Sequence, residues 1–351
     1  MVYSVYWLSG NHKHDHATMN RIAKRLLWTP VVWALTIASL LMFGTAKPPP
    51  PAPAITGAFA AMDMSALPPI RRYRARDAAE LSFRVYPAFG NQVAVLIHGS
   101  AGSSADMHPL ARALQAANVT VLVPDLRGHG WNQPHGDIAY IGQLEDDLAD
   151  FMDKEKPNYP GTRWTALGFS SGAAFTLRVA AQTPLGLAFD RYVVASPYLR
   201  YDAPSVRPAA SGTNSKTSTS ADRKSQSWAV ASTGRIIALS ILHRIGVHFW
   251  DGLPVVAFPV SARSDFVTQT YSWRLQQNFG AHNDYLNDIR RVSRPIEVFV
   301  GKSDELLDSE KLTLEFDSQR ADIPVVVLPG MGHSDMVTNL KAIRVLVATI
   351  S

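Results

Sequence analysis

Five residues, Gly168-Phe169-Ser170-Ser171-Gly172, constrain the folding of this chain more than any other stretch. They follow an apolar run, Arg163 to Leu167, and precede an alanine-rich stretch, Ala173 to Gln182, that reads as a helix. A serine between two glycines at a sharp strand-to-helix turn is the signature of a nucleophile elbow. Such a turn strains the serine backbone and lifts its hydroxyl clear of the sheet. The positions two before and two after crowd the turn, so each favours glycine. Only Ser170 has glycine at both; in the frame of Ser171 those positions hold Phe169 and Ala173.

Around the elbow, apolar runs alternate with helical patterns. Leu81 to Tyr86, Gln92 to Ile97, Val119 to Val123 and Tyr192 to Ala195 read as strands, as do Pro295 to Val300 and Pro324 to Leu328. Helices are expected over Ser104 to Ala117, over Tyr140 to Met152 and from about Met336 to Thr349. In the second, Ile141, Leu144, Leu148 and Phe151 recur at helical spacing. Continuous β-branched strands between helices imply an α/β chain with a mostly parallel sheet covered on both faces. The alternation stops at about Ser196. Residues 201–227, rich in Ser, Thr, Ala and Pro, read as a flexible insertion, followed by apolar helical stretches at Trp228 to Ile245 and Tyr271 to Val292. A block of that length between two strands of one sheet predicts a helical cap over residues 201–292. The core is then 71–200 and 293–351.

The N-terminus reads differently. Residues 1–25 form a polar tail with basic residues and His12, His14 and His16, a pattern that binds metal in some His-rich tracts and is otherwise a solvated tail. Leu26 to Phe43 is almost wholly apolar and follows Arg21, Lys24 and Arg25. As a helix those residues would rise roughly 27 Å, against about 30 Å of bilayer hydrocarbon. Residues 26–44 are therefore expected to be a transmembrane signal anchor, or alternatively a cleaved signal peptide ending near Gly44-Thr-Ala46. Either reading places the remaining chain outside the cytoplasm, in a periplasm-like compartment or secreted. Residues 45–70, which begin Lys47-Pro-Pro-Pro-Pro51, read as a stiff linker outside the fold.

Charge excludes one class of partner. The formal net charge is +5, but residues 1–47 hold five cations against Asp15, a net +4, which leaves +1 for the rest. The basic character is local and is no nucleic-acid footprint. The absence of cysteine rules out disulfides, thiol catalysis and Cys-ligated zinc.

Four segments together resemble the α/β-hydrolase superfamily, most closely its capped serine-hydrolase branch of lysophospholipase, monoacylglycerol-lipase and serine-aminopeptidase type. They are Leu96-Ile-His98-Gly99-Ser100, Pro124-Asp-Leu-Arg-Gly128-His129-Gly130, the elbow, and the late loops after Val300 and Leu328. The likeness covers residues 71 to 351; Trp131-Asn132 departs from the Arg-Ser that often follows the second segment. The resemblance implies an α/β-hydrolase fold and the chain order Ser, Asp, His. A serine needs a base to take its proton and a carboxylate to orient that base. Gly301-Lys-Ser-Asp304 matches the family's acid segment and Gly330-Met-Gly-His333 its histidine loop, so Ser170, Asp304 and His333 are the expected catalytic residues. Glu305 and Asp308 are alternative acids that more ordinarily start a helix. The amides of Ser171 and Ser100 are the expected oxyanion donors, the latter because His98-Gly99-Ser100 matches the family's His-Gly-x. His98 and His129 read as structural residues of tight turns.

The chemistry so implied needs no cofactor and no metal. The expected substrate is a small-molecule carboxylic ester with an apolar, lipid-derived acyl group, cleaved through an acyl-enzyme. A serine aminopeptidase on the same residues is the alternative; it would need cap carboxylates, for which Asp251, Asp265, Asp284 and Asp288 are available. An alternative of another class is a catalytically silent, membrane-tethered binding protein.

Overall fold

The computed structural model describes residues 12–50, 53–207, 228–259 and 267–351. The expected tail before residue 12, the segment 208–227 and Asp265 lie outside the described residues. The chain forms two compact units.

The smaller unit pairs helix α1 (His12–Phe43) with a helix of the insertion, Thr233–Arg244. Arg235 donates to the Leu41 carbonyl at 2.5 Å, and the Ser232 hydroxyl donates to the Gly44 carbonyl. These bonds take up carbonyls that a helix C-terminus leaves without intrahelical partners. The expected transmembrane span at 26–44 is not found. Among the described residues no helix is long and apolar enough to cross a membrane. Thr29, Pro30, Thr36 and Ser39 interrupt the expected stretch.

The larger unit begins with a departure from the sequence expectation. Residues 45–70 read as a spacer outside the fold, yet Pro53–Ala60 forms helix α2. Its Phe59 ring lies 6.1 Å from that of Phe169 and packs against the core, and the carbonyl of Pro68 accepts a hydrogen bond from Arg84.

The sheet holds eight strands: β1 (Arg71–Arg74), β2 (Glu80–Tyr86), β3 (Gln92–Ile97), β4 (Thr120–Pro124), β5 (Arg163–Phe169), β6 (Arg191–Ala195), β10 (Ile296–Gly301) and β11 (Val325–Leu328). Its order is β1-β2-β4-β3-β5-β6-β10-β11; the β1 and β2 pairings are antiparallel, and every other pairing is parallel. Strands β3 to β6 and β10 are buried along almost their whole length, which is why they read as unbroken apolar runs. The core helices are α3 (His108–Ala116), α4 (Gln143–Glu155), α5 (Ser171–Ala180), α9 (Ser309–Arg320), α10 (Asp335–Thr338) and α11 (Leu340–Ile350). Leu110 and Leu114 of α3 join Ile343, Leu346 and Ile350 of α11 and Leu96, Val121 and Leu167 of the strands in one buried cluster. Register matters most here. Ile97 pairs with Gly168, Phe169 with Ala195, Ala195 with Phe299, and Gly301 with Leu328. The loops after β3, β5, β6, β10 and β11 therefore leave the sheet at one edge.

The insertion is not the all-helical cap expected. Besides α6 (Thr233–Arg244), its described part holds β7 (Val230–Ala231), β8 (Pro254–Ala257) and β9 (Thr270–Ser272), which pair antiparallel in the order β7-β8-β9, and helices α7 (Trp273–Asn278) and α8 (Tyr285–Arg291). The run Val255-Val256-Ala257, which lies between the two stretches expected to be helical, is the buried central strand.

Candidate active site

Ser170 ends β5 with φ +56° and ψ −121°, a left-handed conformation that a residue with a side chain adopts only under constraint. Two glycines permit it. A Cβ on Gly168 would lie 2.2 Å from the Gly172 carbonyl oxygen, and one on Gly172 would lie 2.1 Å from the His98 carbonyl oxygen. The Ser170 amide donates to the Ala195 carbonyl at 2.9 Å, so the turn stays tied to β6 while its hydroxyl faces the opposite way.

His333 brings its ring to that hydroxyl. Its Nε2 is 2.9 Å from Ser170 Oγ, and its Nδ1 is 2.9 Å and 3.1 Å from the two carboxylate oxygens of Asp304. A carboxylate can only accept, so Nδ1 carries the proton and Nε2 is left to accept from the serine. All three side chains are buried. Burial alone would raise the Asp304 pKa. It is outweighed by the adjacent His333, with its hydrogen bond, and by hydrogen bonds from Ser196 Oγ (2.8 Å) and the Leu306 amide (2.9 Å), which together hold the carboxyl below its ordinary value. A hydroxyl bonded to an imidazole that a buried carboxylate orients is competent to lose its proton to that imidazole.

The sequence alternatives to Asp304 fall elsewhere. Glu305 accepts from the His333 backbone amide at 2.8 Å and holds the histidine loop, not the ring. Asp308 caps α9 by accepting from the amides of Glu310 and Lys311, as a helix-start carboxylate does. Ser196, with φ +47° at the end of β6, has no local sequence signal; only its partner 108 positions away gives it a role.

Ser100 and Ser171 are brought face to face, with their hydroxyls hydrogen-bonded to each other. Ser171 is the first residue of α5, where the amide has no intrahelical acceptor. Among the described residues the Ser100 amide has no backbone acceptor either. His98 donates through Nδ1 to the Gly99 carbonyl (2.9 Å) and accepts the Leu126 amide at Nε2 (3.2 Å). Burial lowers its pKa and lowers that of His129 further. Both are neutral, hydrogen-bonded turn residues, as their positions suggested. The atypical Asn132 is buried: it accepts from Ser82 and donates to the Asp125 carbonyl, bracing the loop from Pro124 to Gly130.

A family model described as serine aminopeptidase, S33, matches residues 91–246, somewhat less than half of the chain. No curated protein matches the sequence. Among solved structures, a monoglyceride lipase from Saccharomyces cerevisiae superposes with a TM-score of 0.59 at 15% identity, covering 82% of this chain and 96% of that one. A monoacylglycerol lipase from Paleococcus ferrophilus gives 0.55 at 17% identity, over 77% of this chain and 98% of that one. A deformylase from Pseudomonas putida S16 gives 0.52 at 19% identity, with 79% and 99% covered. At such identities the likeness is one of fold, and the fold agrees with the strand order and the strained serine turn. The chain has the α/β-hydrolase fold, and its residues 91–246 match the serine aminopeptidase, S33, model.

Proposed function

We propose that this chain is a serine hydrolase that cleaves carboxylic esters with apolar acyl groups through an acyl-enzyme on Ser170. The observation that carries the mechanism is the run of hydrogen bonds from Ser170 Oγ through His333 to Asp304. Ser170 attacks the carbonyl as His333 Nε2 takes its proton, and the imidazolium is stabilised by Asp304. His333 then hands the proton to the leaving alcohol. Water repeats the sequence against the acyl-enzyme and releases the acid. The amides of Ser100 and Ser171 receive the negative charge that develops on the carbonyl oxygen, the second with the favourable end of the α5 dipole behind it.

The preference for an ester rests on what the insertion offers. Its buried Tyr271 and Phe279 pack with His98 and His129. Its described carboxylates have other partners. Asp288 binds His282 Nδ1 at 2.7 Å, Asp284 caps α8, and Asp251 faces His248 at 3.3 Å. An aminopeptidase would need a carboxylate to hold a free amino terminus, and the matched family model keeps that reading in view. The experiment compares turnover of a medium-chain monoacylglycerol, a short p-nitrophenyl ester and an aminoacyl amide by wild type and Ser170→Ala. Both esters should be turned over by wild type only, with fluorophosphonate labelling lost in the variant. Retained labelling in Ser170→Ala would overturn the nucleophile, and faster cleavage of the amide would overturn the ester.

A further inference from the structure

Ala101, the residue after Ser100, holds φ +58° although it is not glycine. Such a conformation is strained and persists only where its surroundings over-determine it. Those surroundings come from one short stretch of the insertion, 170 positions along the chain. The Ala101 amide donates to Tyr271 Oη at 2.6 Å, and the Ala101 carbonyl accepts from the Thr268 amide at 3.0 Å. Tyr271 is buried, and its phenol is itself fixed in direction. His129 Nδ1 lies 3.1 Å from the Arg127 carbonyl, which can only accept, so Nδ1 carries the proton and Nε2 is bare. The phenol therefore donates to His129 Nε2 at 2.6 Å and turns its lone pairs to the Ala101 amide.

The neighbouring peptide is held just as firmly. The Gly99 carbonyl accepts from His98 Nδ1 at 2.9 Å and from the Gly102 amide at 3.2 Å. Because a peptide unit is planar and trans, fixing that carbonyl aims the Ser100 N–H in the opposite direction. Ser100 thus sits between two clamped peptide planes, one held by the core and one by the insertion.

We infer that Tyr271 is a positioning residue for hydrolysis: its phenol clamps the Ser100–Ala101 peptide and, with the core-held Gly99–Ser100 peptide on the other side, keeps the Ser100 amide turned to the oxyanion. The inference rests on the reaction proposed above; besides the Ala101 amide, the phenol also engages the Ser100 side chain. An oxyanion donor counts most where charge develops, so misplacing it slows the chemical step and leaves ground-state binding largely alone.

The test measures kcat and KM for a p-nitrophenyl ester in wild type, Ser170→Ala, Tyr271→Phe and Phe258→Leu, with the melting temperature of each. The buried Phe258 ring packs 4.6 Å from the Tyr271 ring and so reports loss of packing alone. Tyr271→Phe should lower kcat about tenfold, a fraction of the effect of deleting a donor outright, with KM within about twofold. Phe258→Leu should lower the melting temperature at least as much while keeping kcat. Wild-type kcat in Tyr271→Phe overturns the clamp, as does an equal kcat loss in Phe258→Leu. Turnover that survives Ser170→Ala would instead overturn the reaction, and the clamp with it.

Discussion

At Asp304 four donors converge on one carboxylate: His333 Nδ1, Ser196 Oγ and the amides of Leu306 and Leu307. This arrangement makes Asp304→Asn an informative change. The amide fills the same space, but its NH2 would face donors, so the imidazole is driven to the other tautomer and Nε2 no longer accepts from Ser170. By analogy with other Ser-His-Asp enzymes, kcat should fall about 10⁴-fold with KM little changed, measured on a p-nitrophenyl ester. At this scale the sequence was legible where a residue type and its immediate frame coincide. Ser170 is framed by two glycines, Asp304 follows a strand end, and His333 lies in a glycine-flanked loop. Ser196, Glu305 and Tyr271 were not legible in these roles. Each owes its role to a partner 108, 28 or 170 positions away, and nothing beside it in the chain marks it.

Among elements, one buried knot ties the insertion to the core. Glu145 of α4 accepts from Arg178 of α5 at 2.6 Å, and also from Asn278 of α7 and from Gln182. Asn278 Oδ1 in turn takes the amides of Gly142 and Leu144. Removing one member leaves a buried charge without its partner, so Glu145→Ala should cost about 3–5 kcal/mol in urea unfolding. The double variant Glu145→Ala/Arg178→Met should recover much of that loss. Elements buried on both faces were read to within a few residues, because burial demands unbroken apolar runs. Others carried too weak a pattern. In β1 only Tyr73 is buried among arginines, and in α9 the inward side chains Leu312 and Phe316 are spaced among charges.

For the molecule as a whole, Asp304 links the site to stability. Its pKa in the fold is depressed below the ordinary 3.8, so its ionised form contributes stability above that value. The contribution is lost as pH falls through the folded-state pKa. The difference in unfolding free energy between wild type and Asp304→Asn should be full and constant at neutral pH and shrink below pH 3.8. Denaturant titrations at stepped pH measure it; a gap that widens on acidification would reverse the sign. The same scale holds the largest departure from the sequence reading. Residues 45–70 suggested a linker, yet Phe59 reaches the ring of Phe169 beside Ser170.

What the sequence determined by itself was local. Glycines at 168 and 172 are needed because carbonyl oxygens lie about 2 Å from where their Cβ atoms would be, and buried strands must be apolar throughout. Those two requirements carried the fold and the elbow, while the order of the three expected catalytic residues came from the family resemblance. Only the tertiary structure decided which groups complete the site: the serine that steadies Asp304, the glutamate that holds the His333 loop, and the tyrosine that clamps the loop at Ala101. Hydrogen-bond partners distant in sequence meet only once sheet register and insertion have set their positions, and register is a property of paired strands that no single stretch encodes.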